Sequence, residues 1–183
     1  MKKMLSIVLC LVMLAVSACA FAEPTTVMTY DPTIFEALGI EVQTIEIGDF
    51  GLKFDIPAEM IAQDVTEEQF MAGAMAIYAT EDLSVSMSVD FLQLFDAEGN
   101  PIADFDTLMA YYTEMGAEYV EMVDVNGYAA MSCVLPEADV IGVIFLEEGG
   151  WLLGFSFTPA STEGVAELAA ASIATIRDIE EPA

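Results

Sequence analysis

Residues 118–158 read EYVEMVDVNGYAAMSCVLPEADVIGVIFLEEGGWLLGFSFT, and their punctuation decides the fold. Asn126-Gly127 is a strong hairpin signal, because a type I′ turn needs positive φ at both central positions. Pro136-Glu137-Ala138-Asp139 and Glu147-Glu148-Gly149-Gly150 break the stretch twice more. Three turns leave four strands. The third and fourth, VIGVIFL and WLLGFSF, are apolar at successive positions and not only at alternate ones. A strand apolar on both sides needs both faces covered, which places this meander in the middle of a sheet with helices packed against it.

Outward from the meander the pattern alternates between strands and short helices. Downstream, Ser161 or Thr162 is expected to cap a helix carrying Val165, Leu168, Ala169, Ile173 and Ile176 on its inner face. Upstream, Phe105, Leu108, Met109, Tyr112 and Met115 fall at helical spacing after Asp104 or Asp106 and before Gly116. Gly73–Thr80 and Leu83–Gln93 form a hairpin about Glu81-Asp82. Its second strand sends Leu83, Val85, Met87, Val89 and Phe91 one way and Ser84, Ser86, Ser88 and Asp90 the other, so one of its faces is wet or loosely covered. Thr66-Glu67-Glu68-Gln69 has the form of a capping box and predicts a short helical turn. Two further strands flank Gly48-Asp49-Phe50, the second ending at Pro57. Asp31-Pro32 to Gly39 predicts a small helix with Asp31 as its cap, preceded by a Thr-rich tether.

The start of the chain is a secretory leader over residues 1–22: Lys2 and Lys3, the apolar run LSIVLCLVMLAV, then the small-x-small site Ala20-Phe21-Ala22. Val16-Ser17-Ala18-Cys19 also fits a lipobox, in which Cys19 would carry the lipid, so cleavage after Ala22 and lipidation at Cys19 both stand. Either way the protein is expected outside the cytoplasm, secreted or lipid-anchored to the outer face of the cell membrane. Residues 23–40 then form the tether and small helix, and 41–180 a single domain. Removal of the leader leaves Cys133 as the only cysteine, so no internal disulfide forms and the fold stands on its core. It also leaves Lys53 and Arg177 against 31 acids, a net charge of −29. Such a chain has nothing to neutralise phosphates, which excludes nucleic acid and argues against anionic lipid surfaces. A solvated surface, cations or a basic partner remain.

The order of elements resembles that of a known group. The phrase Phe54-Asp55-Ile56-Pro57 leads into a hairpin and a helix; the meander opened by Asn126-Gly127 follows, and a last helix closes on Ile173-Ala174-Thr175-Ile176-Arg177. This is similar to the PsbP-like and DcrB-like sandwich domains of small secreted or lipid-anchored bacterial proteins, over about residues 42–179. The resemblance implies an α+β fold, an antiparallel sheet of about six to eight strands with helices on both faces. It also implies a binding or assembly module and not an enzyme, and brings no catalytic residues with it.

The residues themselves offer little chemistry. There is no His, which closes the Ser-His-Asp and Cys-His arrangements and leaves zinc without ligands. Cys133 lies in the apolar run MSCVL and reads as core. A carboxylate-pair hydrolase would need an isolated pair in a deep cleft. Calcium is the sharper expectation: Asp96, Glu98, Asn100 and Asp104 crowd one acidic loop over residues 96–106, although Pro101 and Thr107 break the EF-hand pattern. No other cofactor is expected. Trp151, beside Gly149-Gly150, is placed where a partly exposed ring can touch a partner. The reading as a whole is a non-enzymatic cell-envelope binding or assembly domain for an unknown protein or small apolar ligand. A weak extracellular calcium module is the alternative.

Overall fold

The computed structural model describes residues 26–179, so the leader, the 16–19 lipobox and Cys19 lie outside the described residues. The meander forms as four eight-residue strands, β7 (Glu118–Val125), β8 (Tyr128–Leu135), β9 (Val140–Glu147) and β10 (Trp151–Thr158). Asn126 and Gly127 have φ of 54° and 91°, the positive pair that the first turn requires. These strands lie inside an eight-stranded sheet of order β1-β7-β8-β9-β10-β6-β5-β4, where β1 is Thr26–Met28, β4 Ile61–Gln63, β5 Ala74–Ala79 and β6 Ser86–Gln93. All its pairings are antiparallel except β1 on β7.

A second sheet departs from expectation. Val42–Ile47 (β2) and Leu52–Pro57 (β3) do not join the large sheet but pair with each other and with Arg177–Asp178 (β11). This three-stranded layer and the helix α4 (Val165–Ala174) together cover one face of the large sheet. The helix α3 (Phe105–Glu114) covers part of the other. Two shorter helices, α1 (Ile34–Leu38) and α2 (Glu67–Met71), complete the chain.

The main core lies between the two sheets. Phe155 at its centre is fully buried and meets Phe54 of β3 at 5.3 Å and Phe145 of β9 at 5.8 Å, both edge to face. Met87, Val89, Leu153, Phe157, Ile173 and Ile176 surround it. The smaller core under α3 holds Leu108, Met131, Cys133, Ile144 and Leu152. One strand thus serves both: Leu153, Phe155 and Phe157 of β10 point into the main core, and Leu152 points into the smaller one.

A buried ion pair ties the small sheet together. The Arg177 guanidinium bonds Asp55 Oδ1 at 3.1 Å and donates to the Thr175 carbonyl at 2.6 Å, while Thr44 Oγ1 donates to the same Asp55 oxygen at 2.6 Å. Arg177 also lies over the Tyr30 ring, 5.0 Å from its centroid. The sheet that sequence periodicity did not separate is therefore held by a charge pair that joins residues far apart in the chain.

Several local expectations shift. Thr26–Met28, expected in a tether, is a strand of the large sheet, because Met28 packs against the main core and its carbonyl accepts from the Asn126 N–H at 2.9 Å. Thr33, not Asp31, is the N-cap of α1; Asp31 instead accepts from the Thr33 N–H and hydroxyl at 2.8 and 2.7 Å. Gly164 precedes α4, because Ser161 is drawn away by Asp139, to which both its N–H and its hydroxyl donate. Leu83 stands in the β5–β6 turn with φ of 59° and is exposed. Met115 caps the end of α3 and is exposed. The capping box at Thr66 and Gln69 and the cap of α3 by Asp104 form as read.

Candidate functional site

The acidic loop is the first place to look, and its oxygens face one another only in part. Asp96 accepts from the Asn100 N–H at 2.8 Å and from the Asn100 amide at 3.1 Å, which holds the carboxyl below the usual carboxylate range. Asp104 turns to the helix, accepting from the Thr107 N–H at 2.8 Å and hydroxyl at 2.9 Å. Glu98 joins the Asp96 group through its backbone, which also favours the Asp96 carboxylate. Among the described residues no set of three or more Asp, Glu, Cys or His side chains is gathered closely enough to hold a metal ion. The loop brings Asp96 and Asn100 together and sends Asp104 elsewhere.

Trp151 is 41 % exposed at the start of β10. Its indole stacks on Phe91 of β6 at 4.7 Å and 13°, and Phe91 in turn meets Phe50 edge to face at 4.9 Å. One face of the ring is therefore committed to the protein. Cys133 is buried, and burial pushes its thiol up to about 11, far from a nucleophile at neutral pH.

A different site emerges on the sheet face that α3 shares. Along β6, Ser86, Ser88 and Asp90 point away from the main core, as the alternation of Leu83–Gln93 indicated. Their cross-strand neighbours on β10 are Thr158, Ser156 and Gly154. The next strand continues the row with Gly142 beside Ser156, then Cys133 on β8. Helix α3 lies over the β7 and β8 side of this face, so Gly142 is covered whereas Ser88, Asp90, Gly154 and Ser156 are half-buried. The result is a half-covered polar patch beside α3.

The chemistry of the patch centres on Asp90. Oδ2 accepts from Ser88 Oγ at 2.8 Å and from Ser156 Oγ at 3.4 Å. Burial raises the carboxyl above its ordinary value, against the opposite pull of the two serines. Among the described residues no ion pair involves Asp90, and no cation is among the influences on it. Gly154 sits directly across from it, where an added Cβ would come within 3.8 Å of the Asp90 Cβ. On the α3 side Tyr112 is partly buried, and burial, followed by Cys133, Tyr111 and Asp90, pushes its phenol up to about 12. Sequence alternation marked these serines and Asp90 as the less covered face. It carried no sign that Gly154 and Ser156, some 66 residues downstream of Ser88 and Asp90, complete the site.

A second hollow of 710 Å³ lies at the opposite edge of the sheet, lined by Ala58, Glu59, Ile61, Thr80, Glu81, Asp82 and Ser84. It is wide open, and Asp82 there is held at about 2 by donations from Ser84 and Thr80. Its hydrogen bonds close the β5–β6 turn on itself. Within the hollow, Thr80, Asp82 and Ser84 are committed to one another.

No protein-family model matches the chain, and no curated protein does. Among solved structures, the chain is similar to the solution structure of cyanobacterial PsbP (CyanoP) from Synechocystis sp. PCC 6803, at 12 % identity and a TM-score of 0.49, over 88 % of this chain and 98 % of that one. It is also similar to a crystal structure from Bacteroides thetaiotaomicron, at 12 % identity and a TM-score of 0.47, over 76 % of this chain and 49 % of that one. No helix among the described residues is long and apolar enough to cross a membrane.

Proposed function

We propose that the protein is a non-enzymatic binding module that works outside the cytoplasm and takes its ligand on the half-covered face of the large sheet, beside α3. The observation behind this reading is Asp90: a half-buried carboxylate with no cation beside it among the described residues, fixed by two serine hydroxyls, with a glycine opposite that leaves room beside it. A charge kept partly out of water without a partner costs stability, so a ligand that neutralises it has a site already arranged. The leader at residues 1–22 supports the extracytoplasmic address. Non-catalysis is supported by the absence of His from the sequence, which leaves Ser88 and Ser156 with a carboxylate but no imidazole to relay a proton.

The test is a set of amide spectra of the ¹⁵N-labelled domain titrated with a panel of small amines, alcohols and sugars, and with calcium chloride. Saturable shifts centred on Ser88, Asp90, Gly154 and Ser156 are expected. Shifts confined to residues 80–84 would overturn this placement of the site. Shifts at Asp96, Glu98, Asn100 and Asp104 with calcium alone would put the acidic loop in its place.

A further inference from the structure

We infer that the polar patch around Asp90 is a receptor for a primary alkylammonium group. The inference rests on the binding face just proposed and names what that face holds. The two serine hydroxyls both donate to Oδ2. Having given up their hydrogens, Ser88 Oγ and Ser156 Oγ each keep lone pairs, and among the described residues no donor reaches Asp90 Oδ1. Three acceptors therefore stand together on neighbouring strands: Oδ1 of Asp90 and the two serine oxygens. A primary ammonium carries three donors and no acceptor, so it can bond to all three and supplies the missing counter-charge.

Other cations fit less well. A hard metal ion seeks six or more oxygens, and no group of three metal-binding side chains exists among the described residues. A guanidinium presents a planar fork suited to two free carboxylate oxygens, but Oδ2 already serves both serines. A quaternary ammonium has no hydrogen to donate. Space for a short stem is provided across from Asp90, where Gly154 leaves backbone in place of a side chain and remains half-exposed. The chain's net charge of −27 raises the local concentration of any cation at the surface, and the geometry at Asp90 selects among them.

n-Butylammonium chloride is the probe, followed through the amide signals of Asp90, Gly154 and Ser156. Sodium chloride and tetramethylammonium chloride at matched ionic strength, and neutral n-butanol, are the comparisons. Saturable shifts with n-butylammonium alone are expected, weakened by about tenfold or more in Asp90→Asn and unchanged in Asp82→Asn, whose carboxylate lies at the remote β5–β6 turn. Equal binding by Asp90→Asn, or equal shifts with tetramethylammonium, would overturn the inference. If n-butanol moves the same signals as strongly, the ammonium preference fails while the binding face stands. If neither probe moves them, both readings fail. A thermal melt of Asp90→Asn establishes that the variant is folded, so that loss of binding is read at the site.

Discussion

Two carboxylates, Asp55 and Asp90, show how differently one residue type can be used in this molecule. Asp55 is buried with Arg177 beside it; the Thr44 hydroxyl donates to its carboxylate, and the Thr175 hydroxyl accepts from its backbone N–H. Removing one partner of such a pair leaves a charge in the interior, so Arg177→Met is expected to cost about 3–5 kcal/mol in urea unfolding. The double variant Asp55→Asn, Arg177→Met should recover part of that loss. Asp90 has no such partner among the described residues, and burial raises its carboxyl above its ordinary value. The folded state thus holds the proton more tightly than the unfolded one. Its contribution to stability is fully present below about pH 3.8 and is lost as pH rises through the higher folded value. Asp90→Asn is therefore expected to be more stable than the parent at pH 7, with the difference shrinking towards pH 3.5. Urea melts at both pH values check this, and an Asn variant less stable at pH 7 would contradict the cause assigned. The sequence showed which side of β6 Asp90 occupies, but not its lack of a cation, because pairing of charges is decided by strands remote in sequence.

Among the elements, the turns were the most legible and the layers the least. Asn126-Gly127, Gly39, Gly116 and the Thr66–Gln69 box act through backbone geometry within a few residues, and each forms where the sequence placed it. The separation of β2 and β3 into their own sheet was not legible. Their alternation is the same whether the apolar side meets a helix or another sheet, and only the β11 pairing and the Arg177–Asp55 bond decide it. β4 was missed for a related reason: three residues are too short to show a period. Gly150 shows a turn acting beyond its own strands. Its φ is 76°, and a Cβ there would lie 2.9 Å from both the Ile102 carbonyl oxygen and Pro101 Cβ. The short helical turn before β10 thus lies flush against the segment that leads to α3. Gly150→Ala should cost about 1–3 kcal/mol from backbone strain, with overlap adding to it. Gly127→Ala has a positive φ of 91° but open space around it, and should lose less. Similar losses for the two in urea melts would show that the close approach at Gly150 has no energetic weight.

At the scale of the whole molecule, charge and core pull in opposite directions. The chain carries −27 and yet buries two cores on one sheet, so self-repulsion is a standing cost to the compact state. Raising sodium chloride from about 20 to about 200 mM is expected to raise Tm by several degrees, since the Debye length falls well below the size of the domain. Sodium and tetramethylammonium should act alike. A greater rise with calcium at matched ionic strength, abolished by Asp96→Asn, would reveal a specific ion site in the 96–106 loop. Composition foretold the repulsion, and the double coverage of the sheet followed from the runs in β9 and β10; the place where coverage stops did not, because it depends on where α3 comes to rest. One edge of the same sheet has a mechanical meaning. β1 runs parallel to β7 over Thr26–Met28, and Asn126 fastens it at two points, through its N–H to the Met28 carbonyl and through its side-chain oxygen to the Tyr30 N–H. The same side chain grips the carbonyls of Ala174 and Ile176 at 3.0 and 2.7 Å. A pull arriving from the N-terminal side therefore runs along the strand axis, loading that short ladder in shear, and passes through one asparagine to the end of α4. A load applied at Thr26 is thus carried by the sheet itself and by the last residue of α4.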